Sequence, residues 1–145
     1  MNVRLATADD ACYLADLMTQ LGYLTNTSRM ERRLQKFSTH PDYRTYVTHE
    51  HHSKEILGMI GLHASMYYEK DATYVRIVTL VTDENHRGKG IASKLLCAAE
   101  DWGKSFGADQ LFVNTGNRNE RLPAQQFYES QQFIQIANGW GRALN

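Results

Sequence analysis

Apolar residues recur along the chain with two different periods, and the switches between them mark the elements. Val3 to Ala6 reads as a short strand. Thr7-Ala8-Asp9-Asp10 then has the form of a helix capping box, in which a hydroxyl and a carboxylate satisfy the first unpartnered amides. Behind it Ala11, Leu14, Leu17, Met18 and Leu21 return every three or four residues, which predicts an amphipathic helix stopped near Gly22. Ser28-Arg29-Met30-Glu31 is a second box, and it opens a helix with Met30, Leu34 and Phe37 on one side that ends before Pro41.

From Tyr43 the period shortens. Thr45 to His49, a polar turn at His51 to Lys54, and Ile56 to Met66 predict a β-hairpin. Tyr74 to Thr82 is dense in β-branched residues and long enough to cross a sheet. A turn from Asp83 to Gly90 follows. Ile91, Leu95, Ala98, Ala99, Trp102 and Phe106 then mark the stripe of a helix closed by Gly107. Leu111 to Asn114 predicts a short strand, and Leu122 to Ser130 a short helix with Pro123 in its first turn. Phe133 to Ala137 and Trp140 to Leu144, joined by Asn138-Gly139, predict a closing hairpin. The order is β-α-α-β-β-β-α-β-α-β-β, an α/β chain whose mixed sheet carries packed helices.

Length and charge narrow what such a chain does. At 145 residues, 42% of them hydrophobic, it suits one domain spanning 1–145 that holds its core without disulfide or metal. Sixteen basic residues balance sixteen acidic ones, which argues against binding nucleic acid by bulk charge. No apolar run approaches the length of a membrane span, and Met1-Asn2-Val3-Arg4-Leu5 lacks the basic-then-apolar layout of a secretory signal. Cys12 and Cys97 lie inside helical patterns, so two reduced, buried thiols in a cytoplasmic protein are expected.

The chemistry concentrates at Arg87-Gly88-Lys89-Gly90-Ile91-Ala92, between the strongest strand and the strongest helix. A helix start offers unpartnered amides and about half a positive charge, and glycines let a diphosphate approach the backbone. The same six residues equally suit a plain strand-to-helix turn that needs glycine for its angles. A Walker A loop fails, because Gly90 rather than Ser or Thr follows Lys89. A dinucleotide fingerprint lacks its third glycine, with Ser93 in its place.

Arg87-x-x-Gly90-x-Ala92 resembles the Q/R-x-x-G-x-G/A signature of the GNAT acetyltransferase superfamily. Ile77, Leu80 and Thr82 fall where that family's strand carries I-x-x-L-x-V, and Ala124-x-x-Phe127-Tyr128-Glu129-x-x-x-Phe133 is similar to its A-x-x-F-Y-E-x-x-G-F. Within the superfamily, Gly58 to His63 and Trp140 to Leu144 resemble small aminoalkylphosphonate N-acetyltransferases.

The resemblance implies a GNAT-like fold whose central strands splay for acetyl-CoA, and direct attack of a small-molecule primary amine on the thioester. By motif position, Leu80, Val81 and Thr82 would pair with the pantetheine, one of their amides polarising the carbonyl. Arg87, Gly88, Lys89, Gly90, Ile91 and Ala92 would hold the diphosphate. Tyr128 would protonate the departing thiolate, and Asn117 or Asn119 would contact the cofactor where Arg121 replaces the usual asparagine. Family members are often dimers, so a homodimer is compatible.

Arg76 stands near where many relatives have a glutamate base, which leaves the base unassigned among His63, Glu69, Glu84 and water. Gln132 replaces the glycine usual before the aromatic. Arg29, Arg32, Arg33 and Lys36 read as a solvated helix face, and as a lure for an anionic acceptor only secondarily. His49, His51 and His52 read as turn residues, with no metal called for. A module that binds acyl-CoA without turnover is the alternative function, and an aminoglycoside, a polyamine or a protein N-terminus the alternative acceptors.

Overall fold

Arg4, Thr7 and Asp10 tie the first strand to the first helix. In the computed structural model, which describes residues 1–115 and 122–144, β1 (Asn2–Leu5) passes through a 3₁₀ turn at Ala8–Asp10 into α1 (Ala11–Leu21). The Thr7 N–H donates to Asp10 Oδ2 at 2.8 Å, and the Arg4 guanidinium grips both carboxylate oxygens at 2.8 Å. Burial pushes the Asp10 carboxyl up, but Arg4 and the Thr7 amide outweigh it and hold the group below the usual carboxylate range.

Gly22, at φ 110°, ends α1. α2 (Thr27–Thr39) starts ahead of the predicted box. Asn26 is its cap and accepts from the Arg29 N–H at 3.0 Å. The Ser28 hydroxyl is spent on that same Asn26 oxygen, at 3.1 Å, and so leaves the capping role to it.

Five strands lie in the order β1-β2-β3-β4-β5, adding β2 (Tyr43–His49), β3 (Ile56–Met66), β4 (Thr73–Thr82) and β5 (Leu111–Val113). The first four pair antiparallel. α3 (Ile91–Ser105) then crosses over and brings β5 beside β4, which makes the sheet mixed. The join is at the start of β4, where the Val75 N–H donates to Gln110 O and the Asp109 N–H to Thr73 O, each at 2.9 Å.

β4 carries a bulge. Leu62 pairs with Ile77 and Gly61 with Thr79, so Val78 has no opposite number on β3. One extra residue exchanges the faces of the strand. Before the bulge, Val75 packs on Gly103 of α3. After it, Thr79 Oγ1 donates to Met18 Sδ of α1 at 3.9 Å, and Val81 joins the cluster of Leu14, Leu17, Met30, Leu34, Val47 and Met59 beneath α1 and α2. On the other face, α3 buries Ile91, Leu95, Leu96 and Ala99. The sheet is thus the middle of three layers.

The chain divides into two compact units, Met1–Phe112 and Val113–Asn145. The second contains α4 (Leu122–Ser130), with Tyr128 between Phe127 and Phe133 at ring separations of 5.5 and 5.3 Å. The predicted closing hairpin is absent among the described residues. From Phe133 to Leu144 there is no strand, and Ile134 and Trp140 are 81% and 95% exposed. Asn-Gly favours a turn locally, but a two-stranded ribbon is only marginally stable without a face to pack on. The thiols also depart from expectation. Cys12 and Cys97 are free but exposed, each lying off the buried stripe of its helix.

Candidate functional site

The approach to the glycine turn is locked before the turn begins. β4 ends at Thr82, and the Asp83 N–H donates to Leu57 O at 2.8 Å. The Asp83 carboxylate caps the 3₁₀ turn Glu84–His86, accepting from the Asn85 N–H at 3.2 Å and from His86 Nδ1 at 2.7 Å. Gln20 of α1 donates to the other Asp83 oxygen at 2.8 Å and accepts the Glu84 N–H at 2.9 Å. The Gln20 bond, and then His86, hold the Asp83 carboxyl below its ordinary range. These three residues were missed in the sequence. Asp83-x-Asn85 signals an Asx turn, but nothing local announces Gln20.

Gly88 and Gly90 both adopt φ 78°, the left-handed region where a side chain is strained. Among the described residues, a Cβ at either would meet nothing within 4 Å. Gly90 is the N-cap of α3 and has no side chain with which to cap it. The helix-start amides of Ile91 and Ala92 have no carbonyl inside the helix to bond, so they favour an external acceptor. Arg87 and Lys89 are exposed beside them. The turn is thus a cradle of backbone in which helix-start amides and two cations lie together.

Gly58 on β3 seats the cradle. A Cβ there would lie 2.6 Å from Ile91 Cγ2, 3.1 Å from Val81 O and 3.3 Å from Leu95 Cδ1. Its bare backbone lets Ile91, 1% exposed, press onto the sheet beside Val81. Leu80–Thr82 and Arg87–Ala92 are brought together in this way. Leu80, Val81 and Thr82 pair with Ile60, Met59 and Gly58 along one edge. On the other edge, three residues of β5 counted from the Val75 bond span roughly 10 Å and reach about as far as Val78. The outer edge of Leu80–Thr82 therefore runs beyond β5.

The remaining predicted residues are placed as follows. Tyr128 is half-buried on α4, and its carbonyl accepts the Phe133 N–H at 2.9 Å. Gln132, where the family motif has glycine, adopts the left-handed region at φ 68°. Asn117, Asn119 and Arg121 lie outside the described residues. His63 is half-buried, and its Nδ1 shares a 2.8 Å hydrogen bond with Ser65 Oγ. Glu69 and Glu84 are exposed, and so are Arg29, Arg32, Arg33 and Lys36, in keeping with a solvated helix face. Among the described residues no group of His, Cys, Asp and Glu is arranged to hold a metal ion, and no helix is long and apolar enough to cross a membrane.

Among the described residues, the three-layer fold leads β4 into a glycine-lined start of α3 whose N-cap has no side-chain hydrogen bond. Residues 11–133 match the model of the acetyltransferase (GNAT) family. The chain belongs to that family and is an N-acetyltransferase. It is similar over 99% of its length to a GNAT family acetyltransferase from Staphylococcus aureus, at 29% identity and a TM-score of 0.82, with 98% of that chain covered. It shares its fold with glucosamine-6-phosphate N-acetyltransferase from Arabidopsis thaliana, at 18% identity and a TM-score of 0.83, with 99% and 98% of the two chains covered. A transcriptional regulator from Bacillus halodurans has the same fold, at 21% identity and a TM-score of 0.85, with 99% of each chain covered. No curated protein matches the chain.

Proposed function

We propose that this protein transfers the acetyl group of acetyl-CoA directly to the primary amine of a small molecule in the cytoplasm, with an aminoalkylphosphonate as the first acceptor to try. The observation that carries the reading is the uncapped start of α3, held by Gly58 against the end of β4 and opened by two left-handed glycines. In this reading the amides and cations of Arg87–Ala92 hold the diphosphate. The backbone of Leu80, Val81 and Thr82 pairs with the pantetheine, and one of its amides steadies the carbonyl oxygen as it gains charge. Tyr128 gives its phenolic proton to the leaving thiolate, a group of similar basicity. Asn117 adds a cofactor contact.

A second reading is an acyl-CoA-binding module without turnover, favoured by the exposed Arg76 on β4, which cannot accept a proton. CoA release measured across a panel of primary amines, phosphonates included, separates the two. Turnover on any amine supports the transferase, and tight acetyl-CoA binding without release on every amine supports the module.

A further inference from the structure

We infer that His63 is the base that takes the proton from the incoming amine, an assignment that rests on the transfer reaction just proposed. At neutral pH a primary alkylamine is an ammonium ion and has no lone pair with which to attack. Arg76 cannot relieve it of a proton. In the β3–β4 register the residue directly opposite Arg76 is His63, and cross-strand partners hold their Cβ atoms about 5 Å apart on one face. The next pair along, Leu62 with Ile77, is the last before the bulge. His63 therefore stands where β4 leaves regular pairing and starts toward Leu80–Thr82.

Its ring is held on several sides. Tyr43 packs against it at 4.6 Å, and Phe37 of α2 backs Tyr43 at 5.0 Å. His40 lies 6.5 Å from His63, and the main chain of Asp42 bonds both the His40 ring and the Ala64 N–H. Ser65, two residues on and therefore on the same face, engages Nδ1. Among the described residues, the charged and titratable groups around the imidazole are His40, Asp42, Tyr43 and Arg76.

When Nδ1–H donates to Ser65 Oγ, the lone pair sits on Nε2. That nitrogen removes one proton from the ammonium and becomes part of an imidazolium. The freed amine forms the C–N bond, the C–S bond breaks with its electron pair on sulfur, and Tyr128 protonates that thiolate. Nitrogen gives its second proton to water, the Tyr128 phenolate regains one from water, and the His63 imidazolium returns its proton to water. Ser65 is a positioning residue that holds the ring through Nδ1.

The test is steady-state CoA release from pH 5 to 9 for the wild type, His63→Gln, His63→Asn and Ser65→Ala, with acetyl-CoA binding followed by calorimetry on each. A wild-type rate that falls with acid is expected, together with a kcat loss of about 100-fold and no such acid limb in either His63 variant. KM for acetyl-CoA should change by less than about twofold, and Ser65→Ala should lose about tenfold in kcat alone. A folded His63 variant that keeps both the rate and the acid limb overturns the assignment while leaving the transfer reaction standing. A wild type that binds acetyl-CoA but acetylates no amine overturns both.

Discussion

Replacing Gly58 by alanine adds a single methyl group at the point where sheet and cradle meet. That carbon would lie 2.6 Å from Ile91 Cγ2, about 1 Å inside the separation that carbons prefer. Ile91 cannot swing aside, because its β-branched side chain is stiff at χ1 and 1% exposed. Val81 O, at 3.1 Å, blocks retreat toward the strand. The start of α3 must move outward by roughly 1 Å, and overpacking of this kind costs about 1–3 kcal/mol. For a chain of this size that is a fall in Tm of roughly 3–10 °C by calorimetry. Because the same movement shifts the amides of Ile91 and Ala92, acetyl-CoA affinity should fall with it.

Two controls sharpen the result. Among the described residues, Gly61→Ala meets only Thr79 Cγ2, at 3.1 Å, and should cost less. In an Ile91→Ala background the clash partner is gone, so Gly58→Ala should lose at least about 1 kcal/mol of its penalty, a coupling measurable in a double-mutant cycle. A Gly58→Ala protein with unchanged Tm and unchanged affinity would refute the idea that this contact seats the helix.

Gly90→Glu places a strained side chain and a negative charge at the helix start, and should abolish acetyl-CoA binding by calorimetry while far-UV dichroism stays native. Tyr128→Phe should lower kcat more than acetyl-CoA affinity, and an equal rate at saturating substrate would remove the phenol from the chemistry. Gln132→Gly should raise Tm, since it relieves about 1 kcal/mol of left-handed strain at φ 68°. Asp10 and Asp83 are held below the ordinary carboxylate range, by Arg4 and Thr7 against burial and by Gln20 and His86, respectively. Their folded forms thus bind protons less readily than the unfolded chain. The stability they add is complete above about pH 4 and drains away as the pH falls through the folded values. Arg4→Leu should flatten that acid loss in urea titrations between pH 2 and 6.

Much of this molecule was legible from short-range pattern, and the rest was not, for a definite reason. β3 and α4 lie where periodicity and capping residues put them, because an alternating run or an amphipathic stripe is complete within its own segment. The glycine turn was equally readable, since Gly88 and Gly90 answer a local demand for positive φ. Tertiary structure alone decided the bulge at Val78, because it is a mismatch between two strands rather than a property of either. It decided which glycine seats the helix, since Gly58 is required by Ile91 and Leu95 of a different element, and that Gln20 of α1 would brace Asp83. It also left Phe133–Leu144 without the hairpin that Asn138-Gly139 suggested, and turned both cysteines outward. Local sequence chooses among backbone angles, but which faces are buried depends on what arrives from elsewhere in the chain to cover them.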